Sequence, residues 1–225
     1  MKKLILIAIL ITASVIAAEA QKGPLRGSGR VVSKSFDYKN FDKVSFEDFN
    51  GRIEVEVGKP FSIQVMIDDN LEPLLRVEKD NAENLLRVSL DNNKNGRLYL
   101  EDTNIKIKVS MPESSVISHR GNSDMKIWGI VGRYFRLEHT GNGNAILEGQ
   151  IDEFDVKKAG NGDINAKKLM TKVAKVKSYG NGDVAINSMI SLHASGAGNG
   201  NILQFGQGKI EAMSGIMGNG EVRKM

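Results

Sequence analysis

Apolar residues recur at every second position through most of this chain, a spacing that predicts strands rather than helices. Between Phe41 and Ser118, Ile53, Val55 and Val57 alternate with charged residues, as do Phe61, Ile63, Val65 and Ile67. Leu86, Val88 and Leu90 follow, then Leu98 and Leu100, then Ile105, Ile107 and Val109. A period of two buries one face of each strand and wets the other. Asn50-Gly51 and Asn95-Gly96 mark turns between strands. Only residues 69–84 leave room for a short helix, and Pro73 limits it.

Beyond residue 120 the alternation is locked to a repeat. Gly-Asn-Gly stands at 141–143, 160–162, 180–182, 198–200 and 218–220, after a degenerate copy at Gly121-Asn122-Ser123. First glycines follow one another at intervals of 20, 19, 20, 18 and 20 residues, the regularity of stacked coils. Six residues before each glycine stand Phe135, Phe154, Ala174, Leu192 and Ala212. Four before it stand Leu137, Val156, Val176, Ala194 and Ser214, and four after it Ala145, Ile164, Val184, Ile202 and Val222. These columns describe a strand, a tight corner and another strand. One coil cannot bury its own apolar face, but coils stacked in parallel register join the columns into continuous ladders. The predicted fold is therefore all-β: a parallel, single-stranded β-helix of coils of about 20 residues over 121–225, preceded by a β-rich N-terminal portion.

Glycine and asparagine tolerate positive φ and so form sharp corners. Stacking would place Asn142, Asn161, Asn181, Asn199 and Asn219 above one another, where their amides can bond along the stack as in cross-β structures. The other reading of these asparagines is direct ligand contact.

The N-terminus differs from the rest. Lys2 and Lys3 precede an apolar run from Leu4 to Ala18, and Ala18-Glu19-Ala20 supplies the small residues that a signal peptidase reads. The run is shorter than the roughly 20 residues that span a bilayer. Residues 1–20 are thus expected to be a secretory signal cut before Gln21, with no transmembrane segment left in the mature chain. Export to the periplasm, the cell surface or the medium follows. Residues 21–40 begin glycine-rich and basic and read as a flexible leader, with one domain over 41–225. Cysteine is absent, which excludes disulfides, thiol catalysis, thiolate metal sites and lipidation at a mature N-terminal cysteine. The formal charge of +4 includes Lys2, Lys3 and Glu19, and is too weak and too dispersed to imply nucleic acid.

At this point the residues resemble a known family. The Gly-Asn-Gly-Asp/Asn-Ile/Val units are similar to the head GIN domain of auto-transporter adhesins, common in Bacteroidetes. So are the lead-in Phe41-Asp42-Lys43-Val44, the strand Gly51 to Val55 and the segment Ile105 to Pro112. The resemblance covers residues 41–225. It implies a right-handed parallel β-helix exported to the cell envelope, with adhesion as the inferred role and no catalytic residues to carry over.

Other chemistry is thin. His119 and His139 share a column two before the glycine, so they should stack within about 5 Å; they read as exposed relics of duplication or as two metal ligands lacking a third. Asp163 and Asp183 are adjacent one-per-coil carboxylates that could share a calcium ion. The β-helical polysaccharide lyases and hydrolases are the enzyme alternative, but the acidic residues Glu138, Glu148, Asp152, Glu153 and Asp155 form no recurring pair across a cleft. Lysines 157, 158, 167, 168, 172, 175 and 177 crowd into two coils. They read either as solubilising edge protection or as a patch for acidic polymers, with Lys157, Lys167, Lys168 and Lys177 as binding residues. The final coil ends five residues after the last Gly-Asn-Gly, and its unpaired edges would favour a homo-oligomer. The expectation is a non-catalytic, cofactor-free module that contacts a glycan or an envelope or host-surface polymer. The alternative is a structural, self-assembling envelope protein.

Overall fold

The computed structural model describes residues 24–91 and 100–225; the expected signal segment and the Asn95-Gly96 turn lie outside them. The first region runs β1 (Leu25–Arg26), β2 (Val31–Phe36), β3 (Lys43–Glu47), β4 (Arg52–Val57), β5 (Ser62–Asp68), β6 (Leu75–Asp80), β7 (Leu85–Leu90), β8 (Leu100–Glu101) and β9 (Lys106–Met111). The second has β10 (Val116–Gly121) and four long strands, β11 (Asp124–Gly141), β12 (Ala145–Gly160), β13 (Ile164–Gly180) and β14 (Val184–Gly198). Four short strands end it: β15 (Ile202–Gln204), β16 (Lys209–Ile210), β17 (Gly215–Gly218) and β18 (Val222–Lys224). The result is a β-solenoid of about five turns.

Coils stack in parallel, with Gly121, Gly141, Gly160, Gly180, Gly198 and Gly218 in one register. Alternation slips twice in the coils of β11, β12 and β13. Between Leu147 and Ile151, and again between Ile151 and Phe154, the buried positions are no longer two apart. These slips and the Gly-Asn-Gly corner bend each coil back onto its own interior. Phe135 and Phe154 stack there with centroids 6.0 Å apart, above Ala174 and Leu192. All four are buried.

The solenoid begins earlier than the repeat suggests. β10 pairs in parallel with β3, and β11 with β4. The turn at Asn50-Gly51 therefore joins two strands of a coil instead of closing a hairpin, and the Asn122 N–H donates to the Phe49 carbonyl as corner stacks on corner. Antiparallel pairs flank this coil: β5 with β2 and β9, and β6 with β7.

Three expectations change. Residues 69–84 hold only a 3-10 turn, Glu72–Leu74, followed by β6. Ala212 is exposed, because Ile210 pairs with Leu192 while Gly215 pairs with Ser195; the residues between them loop outward. The leader is not loose where it is described, since Val31–Phe36 joins the sheet along β5. Buried Asp68 anchors it, accepting N–H bonds from Gly29 (2.9 Å) and Asn104 (2.6 Å) and one from the Asn104 amide (3.1 Å). Burial alone would raise the Asp68 pKa, but these donors together hold it below the usual value.

Candidate functional site

The corner fixes what each coil presents. Gly160 has φ of +120°, and a Cβ at Gly162 would collide with the Gly143 carbonyl oxygen, so this close approach admits no side chain. Between such glycines the asparagine side chains form a ladder. Asn142 donates to Asn122 at 2.9 Å, Asn161 to Asn142 at 2.8 Å and Asn181 to Asn161 at 2.7 Å. Asn199 then donates to Asn181 at 2.7 Å and Asn219 to Asn199 at 2.8 Å. The next column is a second ladder: side-chain oxygens of Asp124, Asn144, Asp163, Asp183 and Asn201 each accept the backbone N–H one coil on. Asp163 and Asp183 thus spend an oxygen each on stacking. Among the described residues, no group of three or more His, Asp or Glu side chains is placed to hold a metal ion.

His119 and His139 are not exposed. They lie inside the solenoid at 2% and 0% exposure, with ring centroids 4.9 Å apart. Lys158 and Ser178 continue their column and are also buried. Period two explains this: positions six, four and two before the glycine all point inward, whatever their polarity. The polar tips reach corner carbonyls, His139 Nε2 to Gly143 at 2.6 Å and Lys158 Nζ to Gly160 at 2.9 Å. A carbonyl only accepts, so His139 Nε2 carries the proton, and its bare Nδ1 accepts from His119 Nδ1 at 3.2 Å. Among the described residues His119 Nε2 is left without a partner, as is the buried Ser123 hydroxyl. Burial, then the neighbouring His139, pushes the His119 pKa down to about 3. Burial lowers that of His139 too, aided by the Lys158 charge and opposed by the Gly143 bond. Burial also lowers that of Lys158, against the pull of Asp163 and Asp183.

The lysines divide between surfaces. Lys157 and Lys177 are register partners on the outward face before the corner, whereas Lys167 and Lys168 follow the corner on another strand segment. Lys158, grouped with them by sequence, is interior. Most of the others already have neighbours. Lys157 pairs with Glu138 at 3.0 Å, Lys168 with Glu148 at 3.5 Å and Lys172 with Asp152 at 2.8 Å. Lys167 Nζ sits 4.2 Å from the centre of the Phe205 ring. Only Lys175 and Lys177 of this set lack such a contact, so the basic surface is narrower than the lysine count.

The family described as "Putative auto-transporter adhesin, head GIN domain" matches residues 40–208. The chain belongs to that family. Among solved structures, a "putative adhesin" from Bacteroides fragilis is 21% identical, with TM-score 0.65, covering 89% of this chain and 100% of that one. A "putative lipid binding protein" from Parabacteroides distasonis is 20% identical, with TM-score 0.57, covering 90% of this chain and 100% of that one. At these identities the likeness shows the fold. No curated protein matches the sequence.

One surface of this head GIN domain escaped the sequence reading. Trp128, the only tryptophan, is half-buried beside a groove lined by Glu54, Glu56, Gln64, Lys108 and Ser110. The available signal was its place in the alternation: Met125 and Ile127 point inward, so Trp128 must point out.

Proposed function

We propose that this protein is an exported, non-catalytic adhesion module that contacts a glycan or matrix polymer at the cell envelope through an outer solenoid face. The observation that carries this reading is the register of outward residues. Arg136, Asp155, Lys175 and His193 form one column, and Glu138, Lys157, Lys177 and Ser195 the next. Such columns place one polar or charged side chain outward per coil, at about 4.8 Å intervals, which suits many weak contacts along an extended polymer. Family membership supports the same role. No helix among the described residues is long and apolar enough to cross a membrane. Export rests on residues 1–20 acting as the signal.

The test is capture of the mature chain on immobilised envelope polysaccharide, heparin-like glycan and matrix protein. Binding to at least one is expected, and Lys157→Ser with Lys177→Ser should weaken binding to the anionic polymers more than Lys167→Ser with Lys168→Ser. Capture by none of them would remove the adhesion role. A second reading, self-assembly, is favoured by Met213 and Met217, 90% and 78% exposed beside short strands. Light scattering showing monomer alone at high concentration would remove it.

A further inference from the structure

The groove beside Trp128 is built from two rows that cross four adjacent strands in register. The first is Ser62, Ser110, Glu56 and Trp128, and the second Gln64, Lys108, Glu54 and Lys126, carried by β5, β9, β4 and β11 in turn. All eight point away from the core, because Ile63, Val109, Val55 and Ile127 between the rows are buried. The backbone beneath is fixed. Gly129, directly after the tryptophan, has φ of +77°, and a Cβ there would meet the Val57 carbonyl oxygen. Lys126 holds the indole from one side, with Nζ 5.5 Å from the ring centre and 3.7 Å from Glu148.

The two carboxylates differ. Glu54 is engaged by Lys106 at 2.6 Å and approached by Lys108 at 3.9 Å. Among the described residues Glu56 has no ion pair or side-chain hydrogen bond, yet it stands between Ser110 and Trp128. The groove encloses about 210 Å³, below the roughly 300–1,000 Å³ of sites that enclose a drug-sized molecule. It therefore offers an aromatic surface, an unpaired acceptor carboxylate, and amide, hydroxyl and ammonium donors around space for one small ring. That combination matches a pyranose, which has an apolar C–H face for an aromatic ring and adjacent hydroxyls that donate to a carboxylate.

We propose that the Trp128 groove binds one sugar ring of an uncharged glycan, with Trp128 as the stacking platform and Glu56 accepting from a pair of ring hydroxyls. An acidic sugar would bring its charge against Glu56, which has no cationic partner to offset it. The open sheet face lets the rest of the chain pass to either side. This deepens the adhesion reading and rests on it, naming a ligand class and a place distinct from the lysine face.

Because Trp128 is the sole tryptophan, its emission reports the groove directly. The mature chain is titrated with hexasaccharides of β-linked glucose, α-linked glucose, mannose and N-acetylglucosamine, and with an anionic heparin hexasaccharide, following emission and acrylamide quenching. At least one neutral hexasaccharide should shift the emission saturably and shield the indole. Glu56→Gln should weaken that binding at least about tenfold, as expected for a hydrogen bond to a charged group. Calorimetry should show no binding to Trp128→Ala and partial binding to Trp128→Phe, with thermal melts showing that both fold. Lys209→Ser, on β16 and no part of the groove, should leave the affinity within about twofold. The proposal is overturned if no neutral hexasaccharide acts at millimolar concentration, if Trp128→Ala still binds, or if only the anionic sugar binds. Capture on envelope polymers that persists after such a failure would leave the adhesion reading standing and remove this groove alone.

Discussion

His119 and His139 show how a repeat overrides side-chain polarity. Their place two before the corner glycine turns them inward, and the corner carbonyls give His139 and Lys158 partners there. Protonating His139 would set two N–H groups against each other at the Nδ1–Nδ1 contact, and protonating His119 would bury a charge at an Nε2 without an acceptor among the described residues, with the Lys158 charge next in the column and apolar Phe46 on the other side. Both pKa values lie below the unfolded value near 6.5. A neutral buried histidine supports folding fully above that value, and the support is lost as pH falls towards the folded pKa, because the unfolded chain takes up the proton first. For His119 the loss reaches about 2 kcal/mol at pH 5. The urea midpoint should therefore fall between pH 7.5 and 5, and the His119→Leu chain should show a shallower fall. Equal slopes would mean that His119 does not stay neutral in the folded protein.

Each corner combines a requirement of space with one of hydrogen bonding. Asn161 takes part in two rungs, as donor to Asn142 and acceptor from Asn181. These bonds are exposed, so Asn161→Ala should cost only about 1 kcal/mol. Gly162→Ala places a methyl group against the Gly143 carbonyl and should cost about 1–3 kcal/mol through forced separation of the coils. Urea unfolding of the two variants tests the order; an asparagine variant that suffers more would make the ladder, not the close approach, the main support of the corner. The corner's position and its asparagine stack were legible, because equal spacing and residue type both point to them. The last coil was not: between Ile210 and Gly215 it carries two residues more than the coil above, and Ala212 fell out of its apolar column.

A solenoid is held by neighbour-to-neighbour contacts, so its stability varies along the stack. β12 and β13 each have a long parallel partner on both sides and β11 has β12 on one side and the six-residue β10 and β4 on the other, whereas β15 to β18 are two to four residues long. Amide exchange should be slowest in β11 to β13 and fastest in β16 to β18, and uniform protection would show that the coils unfold as one unit.

The sequence by itself determined the coil, its corner and its apolar columns, because those depend on period and on residues that few others replace. Tertiary structure alone decided the rest. Backbone pairing between distant strands drew β3 and β4 into the stack, a choice that no local pattern encodes. The closing of each coil gave the inward-facing His139 and Lys158 the corner carbonyls as partners. Register across β5, β9, β4 and β11 brought Glu56, Ser110 and Trp128 to one groove, though Ser62 and Trp128 lie far apart in the chain. Periodicity gives the direction of each side chain; only the packed sheet gives its neighbours.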